Sequence, residues 1–226
     1  MSIKPASRKG PLVTNFFRYL ATSGVIAITL GVSAAMAQIS AADEVGAPPV
    51  PANLQVPAGA TLLFKGHAEG TQNYICLPTA SGFAWTFFSP QATLSFTFKF
   101  FGQDVRRQIV THFLSPNPAE KGMPRVTWQS SFDTSAVWGK LKTDGSSTDS
   151  NFVAPGAIPW LILEAAGTQK GPNGGEILSN TAYIQRLNTG GGLAPQTGCS
   201  EAGNVGATAL VPYTADYFFY AAPPKN

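Results

Sequence analysis

Chemistry in this chain must pass through few residues. Its 226 residues contain only two histidines, His67 and His112. A histidine oriented by an acid can move protons in a hydrolytic step, and the acids in structured stretches that could assist His112 are Asp133 and Glu164. Trp128 and Trp138 fall in a polar, loop-rich stretch and are expected to be exposed. Rings so placed stack on sugars or line an apolar cleft. His112, Trp128, Asp133 and Trp138 are therefore the candidate ligand-binding residues. Glu164 ends the run Trp160-Leu-Ile-Leu-Glu164 and shares a strand face with Trp160 and Ile162. A carboxylate among apolar side chains is costly unless paired, so a buried ion pair with Arg186 is expected, Lys140 being the other available cation.

Other chemistries lack their residues. His67-Ala-Glu69 offers two potential metal ligands on one strand face, with His112 as a third, but no HExxH, Pro-Cys-x-x-Cys or calcium-loop pattern accompanies them. Gly174-Gly175 and Gly190-Gly191-Gly192 are not followed by Lys-Ser/Thr and do not fit GxGxxG, and no Gly-x-Ser-x-Gly elbow occurs. No metal and no cofactor are expected.

The elements that must position these residues have a period of two. In Thr93-Leu-Ser-Phe-Thr-Phe-Lys-Phe100, Leu94, Phe96, Phe98 and Phe100 share one face, expected to meet a core. Further strand candidates are 61–65, 72–77, 83–88, 105–113, 125–128, 137–142, 160–165, 176–187 and 209–220. Gly, Pro, Asn and Asp clusters separate them, and the only helix expected is a short one within 197–206. With 23 Gly, 18 Pro, 15 Phe, 6 Tyr and 4 Trp, this predicts an all-β domain, an antiparallel sandwich or barrel-like fold with Gly/Pro-rich loops and one disulfide. An outer-membrane barrel is the alternative reading of the alternation, but several expected strands are shorter than the ~10 residues such barrels need.

Residues 1–18 carry Lys4, Arg8, Lys9 and Arg18 and no acid. An apolar stretch to Val32 and Ala35-Met-Ala37 follow, the pattern of a signal peptide cut before Gln38. Residues 38–53 read as a Pro/Ala-rich tether and 54–226 as one β domain. Charged residues make up 12% of the chain, about half the usual share. Without the four leader cations, 11 of the 15 basic residues face 12 acidic ones, a net charge of −1, so no nucleic-acid partner is expected. No later segment approaches a membrane span. Cys76 and Cys199 are too far apart for a CxxC pair, and in an oxidising compartment one structural disulfide is the default. A secreted or periplasmic location is expected.

Several segments resemble a known family: Gly70-Thr-Gln-Asn-Tyr-Ile-Cys76, Phe83-Ala-Trp85, Thr111-His112, Trp128, Ile158-Pro-Trp-Leu-Ile-Leu-Glu-Ala165, Tyr183-Ile-Gln-Arg-Leu-Asn-Thr-Gly-Gly-Gly-Leu-Ala-Pro195 and Val211-Pro-Tyr-Thr-Ala-Asp-Tyr-Phe-Phe-Tyr220. The chain is similar, over roughly 51–220, to a secreted domain of unknown function found in bacteria and fungi. The resemblance implies a secreted single domain with a Cys76–Cys199 pairing, and no activity. Members often read Gly-Thr-His-Tyr-x-Gly-Pro-Thr-Trp followed by Asp-Gly-Ser. His112, Trp128 and Asp133 map onto that motif, with an insertion before Trp128 and Phe132-Asp-Thr-Ser135 in place of Asp-Gly-Ser.

Together these readings predict an exported β domain that binds a small ligand or a cell-envelope component. The alternatives are a secreted hydrolase using His112 with an acidic residue, and a structural envelope protein. The expected exported product begins at Gln38, which N-terminal sequencing of protein from periplasm or medium reads directly; a start at Met1 would refute the leader.

Overall fold

The computed structural model describes residues 46–224. The expected leader and the first part of the tether lie outside the described residues. Eight strands follow one another: β1 (Thr61–Thr79), β2 (Gly82–Phe100), β3 (Gln103–Asn117), β4 (Met123–Ser130), β5 (Ala136–Ser147), β6 (Trp160–Gln169), β7 (Tyr183–Gly191) and β8 (Thr208–Ala221). Each pairs antiparallel with the next, and β1 pairs with β8, so the sheet is a closed barrel. The all-β expectation is met, and of its two architectures the barrel is the one formed.

Several expected strands are halves of longer ones. Residues 61–65 and 72–77 both belong to β1, and 83–88 and 93–100 both belong to β2. The stretch between the halves of β1 stays extended because Gly70 lets β2 come close. A Cβ there would lie 2.1 Å from the Gln91 carbonyl oxygen and 2.6 Å from Ala92 Cβ. At the other extreme, 176–182 lies outside any strand, and β7 starts at Tyr183. A single 3₁₀ turn, Ala202–Asn204, stands where the short helix was expected.

Alternation along the strands builds two apolar layers. Ala68, Leu94, Val110, Trp128, Val137, Leu163, Ile184, Tyr217 and Phe219 pack inside the barrel, with Phe64 stacked on Phe219 at 4.5 Å between centroids. Outside, Leu54, Val153, Trp160, Ile162, Leu187, Phe218 and Tyr220 form a second cluster against which Ala47, Val50 and Phe152 pack. Packing thus reaches several residues ahead of Leu54. Gln185 joins this layer: its Nε2 donates to the Leu54 carbonyl at 2.7 Å and its Oε1 accepts from Tyr220 Oη at 2.8 Å. With both faces of β8 covered, Tyr217-Phe-Phe-Tyr220 is apolar without alternation.

The aromatic run of β2 departs from expectation. Leu94 is buried, but Phe96, Phe98 and Phe100 are exposed, as is Phe101, 91% exposed at the tip. The β2–β3 register shifts between Leu94 and Ser95, and β1 pairs with β2 only as far as Ser95. Residues 96–100 therefore pair with β3 alone, in a hairpin that leaves the barrel. Alternation states that side chains share a face; it does not state that anything covers that face.

Cys76 on β1 is bonded to Cys199 in the β7–β8 connection, across 123 residues of sequence. The loop-entropy model gives such a closure about 4–5 kcal/mol. The contrast between the two Phe environments is testable by chemical denaturation. Phe219→Ala is expected to cost about 3–5 kcal/mol, whereas Phe101→Ser stays within about 0.5 kcal/mol of the parent. Equal losses would contradict this packing.

Candidate functional site

The inside of the barrel is not filled throughout. Toward the end that carries the β1–β2, β3–β4, β5–β6 and β7–β8 connections there is a cavity of about 480 Å³. Every strand contributes to its wall: Gln72, Phe88, His112, Trp128, Leu141, Leu161, Arg186 and Tyr217, in chain order. Phe87, Phe88 and Leu141 are exposed and mark its mouth. The opposite end is packed with Leu94, Val110, Val137 and Phe219.

His112 and Trp128 are register partners on β3 and β4. Their rings stack at 4.3 Å and 10°, with Tyr217 edge-on to both. The two residues are therefore brought together, but in the strand wall of the barrel rather than in exposed loops. Trp128 is 1% exposed, against the expectation of an exposed ring, because its strand position points inward. His112 Nδ1 lies 2.9 Å from the Thr127 carbonyl oxygen. A carbonyl can only accept, so Nδ1 carries the proton and Nε2 keeps its lone pair. Burial drives the imidazole pKa down to about 3, with the nearby Arg186 charge acting in the same direction and the Thr127 hydrogen bond opposing. His112 is accordingly neutral at ordinary pH.

The other candidates lie elsewhere. Trp138, also buried rather than exposed, is on the outer face of β5, and its Nε1 donates to Ser115 Oγ at 2.9 Å. Asp133 sits in the β4–β5 turn, at the end of the barrel away from the cavity mouth. Its Oδ1 accepts from Ser135 N and Oγ at 3.0 and 2.7 Å, and its Oδ2 accepts from Ile177 N at 3.0 Å. Burial raises its pKa, but these hydrogen bonds outweigh that and hold it at about 2. The 170–178 connection wraps over it closely enough that a Cβ on Gly175 would lie 2.4 Å from Asp133 Cβ. Asp133 is thus a latch between two connections, with both oxygens engaged, and it does not orient His112.

Glu164 and Arg186 do not pair. Glu164 lies on the outer face of β6 with Trp160 and Ile162, opposite Lys140 in register, whereas Arg186 shares the inward face of β7 with Ile184. The sheet itself separates them, and among the described residues neither forms an ion pair. His67 is outside the barrel too, 2.8 Å from Asp216 Oδ1, so it cannot join His112 at one site.

Sequence reasoning missed Gln72 and Tyr217 as site residues and gave Arg186 a different role. One signal was readable: Ile184 and Arg186 are two apart, so a cation shares the face of a core residue.

The neutral His112 has a consequence for stability. Its folded pKa, about 3, lies below the unfolded value of about 6.5. Between these values the unfolded chain binds more protons, so the stabilisation is complete above pH 6.5 and is lost as pH falls toward 3. Melting temperatures from pH 7 to 4 are expected to fall, and His112→Phe, which keeps an aromatic stack, should flatten that fall. An unchanged slope would show that another group controls it.

No curated protein and no solved structure matches the chain. A family model described as "Protein of unknown function (DUF3455)" matches residues 57–221, a span that takes in all eight strands, both cysteines and the whole cavity wall. The chain belongs to the DUF3455 family of proteins of unknown function.

Proposed function

We propose that this protein is an exported, disulfide-closed β-barrel that binds a small, largely apolar ligand in its lumen. The observation that carries the reading is the cavity of about 480 Å³ to which all eight strands contribute. Pockets of this size, walled by apolar and aromatic side chains around a few polar groups, are the usual form of small-molecule sites. Eight-stranded barrels have room for one such ligand. Of the two occupants the sequence suggested, a barrel lumen entered through a mouth suits a small molecule better than a cell-envelope component. Export is supported by the leader pattern and by the disulfide.

Titration with the neutral probe N-phenyl-1-naphthylamine tests the reading. Saturable one-to-one binding with a rise in probe emission is expected. Leu161→Trp, which replaces an aliphatic side chain of the cavity wall with a bulkier indole, should weaken it at least about tenfold, since a filled pocket loses both area and fit. Binding that is absent, or indifferent to Leu161→Trp, would remove the lumen as the site.

A further inference from the structure

The lumen carries an electrostatic imbalance. Arg186 lines it, and no aspartate or glutamate does. Arg186 Nη2 donates to the Pro159 carbonyl at 2.9 Å, but its Nε–H is buried without a partner. Two more buried donors on the same wall lack a well-formed hydrogen bond, in residues 3% and 1% exposed: Gln72 Nε2, which only approaches the Tyr213 hydroxyl, and Trp128 Nε1. The guanidinium charge is felt by His112, Tyr74, Tyr213 and Tyr217. His112, held neutral, neither competes for an anion nor neutralises the cation. Of the two other cations of the wall, Arg125 is already engaged by Glu120 at 2.7 and 2.8 Å, and Lys140 stands opposite Glu164 in register on the outer face of the sheet.

A half-buried guanidinium without a counter-charge is costly, and each orphaned buried donor adds to that cost. Three such donors of one sign around one cavity are complementary to an anion. Beyond the polar and charged side chains already named, the wall is apolar, with Phe87, Phe88, Leu114, Leu141, Leu161 and Leu163 its largest members. We infer that the ligand is a monocarboxylate with an apolar body, its carboxylate seated on Arg186 with Gln72 assisting and its body running toward Phe87 and Phe88 at the mouth. The planar, two-oxygen carboxylate matches the guanidinium fork. This inference rests on the lumen-binding reading above and adds the chemistry of the ligand's head.

The test uses protein expressed from the full-length sequence and delipidated, titrated in a calorimeter with dodecanoate, dodecanol and methyl dodecanoate. Dodecanoate is expected to bind about ten- to a hundredfold more tightly than the two uncharged probes, the range for a charge-assisted hydrogen bond to a buried partner. Arg186→Gln should erase that preference while leaving dodecanol binding in place, and Arg186→Lys should restore part of it. Should Arg186→Gln fail to fold, the comparison of the three probes on the parent protein still decides. Equal affinities for acid, alcohol and ester would overturn the carboxylate assignment and leave the lumen site standing. A preference for dodecanoate that survives in Arg186→Gln would overturn the role of Arg186. If none of the three binds and N-phenyl-1-naphthylamine does not either, the lumen reading falls and this inference with it.

Discussion

The pairing of β1 with β8 runs from Thr61 to Ile75 on one strand and from Ala221 to Thr208 on the other, and it joins the two ends of an eight-stranded sheet. Without it the sheet would have two free edges and no inside. With it, every strand finds two neighbours and the inward side chains of all eight converge on one space. The first six residues of β1, Thr61 to Gly66, have only β8 as partner, because β2 departs at Ser95 to form the projecting hairpin. Closure therefore rests on β8, and β8 in turn is held from outside by the Leu54, Trp160 and Leu187 cluster. The disulfide fastens the other end of β1 to the connection that leads into β8. The covalent link and the outer apolar layer thus serve the same seam.

Closure also creates two unlike halves of the interior. Near the β2–β3 and β4–β5 turns the lumen is packed with aliphatic and aromatic side chains. Near the opposite end a cluster of polar groups stands among rings: Arg186, Gln72, neutral His112 and the Tyr213–Tyr217 hydroxyl pair at 3.3 Å. A protein selecting for stability alone would place apolar residues there, since burial raises the cost of every unpartnered N–H. Polar groups kept at such a position are a common mark of a site where something binds. Elsewhere the buried and half-buried charges are answered: Asp133 by Ser135 and Ile177, Glu120 by Arg125, and Asp216 by Asn188, His67 and Lys65. The contrast marks Arg186 out.

The strand alternation made the β class readable, because period-two patterning follows from backbone geometry and needs no knowledge of partners. It also placed Glu164 with Trp160 and Ile162, and that facing holds in the fold. Its pairing with Arg186 failed because two residues that both need partners can sit on opposite faces of the same sheet. Phe96, Phe98 and Phe100 share a face as their spacing implies, yet nothing covers them, since coverage depends on where β1 parts from β2. Trp128 and Trp138, ten apart and both in polar surroundings of sequence, end up on opposite sides of the wall; a register shift between Trp138 and Gly139 lies against β6, and no local signal announces which face is the lumen.

What the sequence by itself determined is therefore local: strands that alternate, glycines where chains must approach, and two cysteines with only each other to bond. What the tertiary structure alone decided is which of the two faces became the inside. That choice depends on the closure of β1 against β8 and on what the N-terminal segment covers, both set by contacts distant in sequence. It turned Arg186 from an expected ion-pair partner into an inward-facing cation of an acid-free lumen wall, and His112 from a candidate base beside Asp133 into a neutral ring stacked on Trp128.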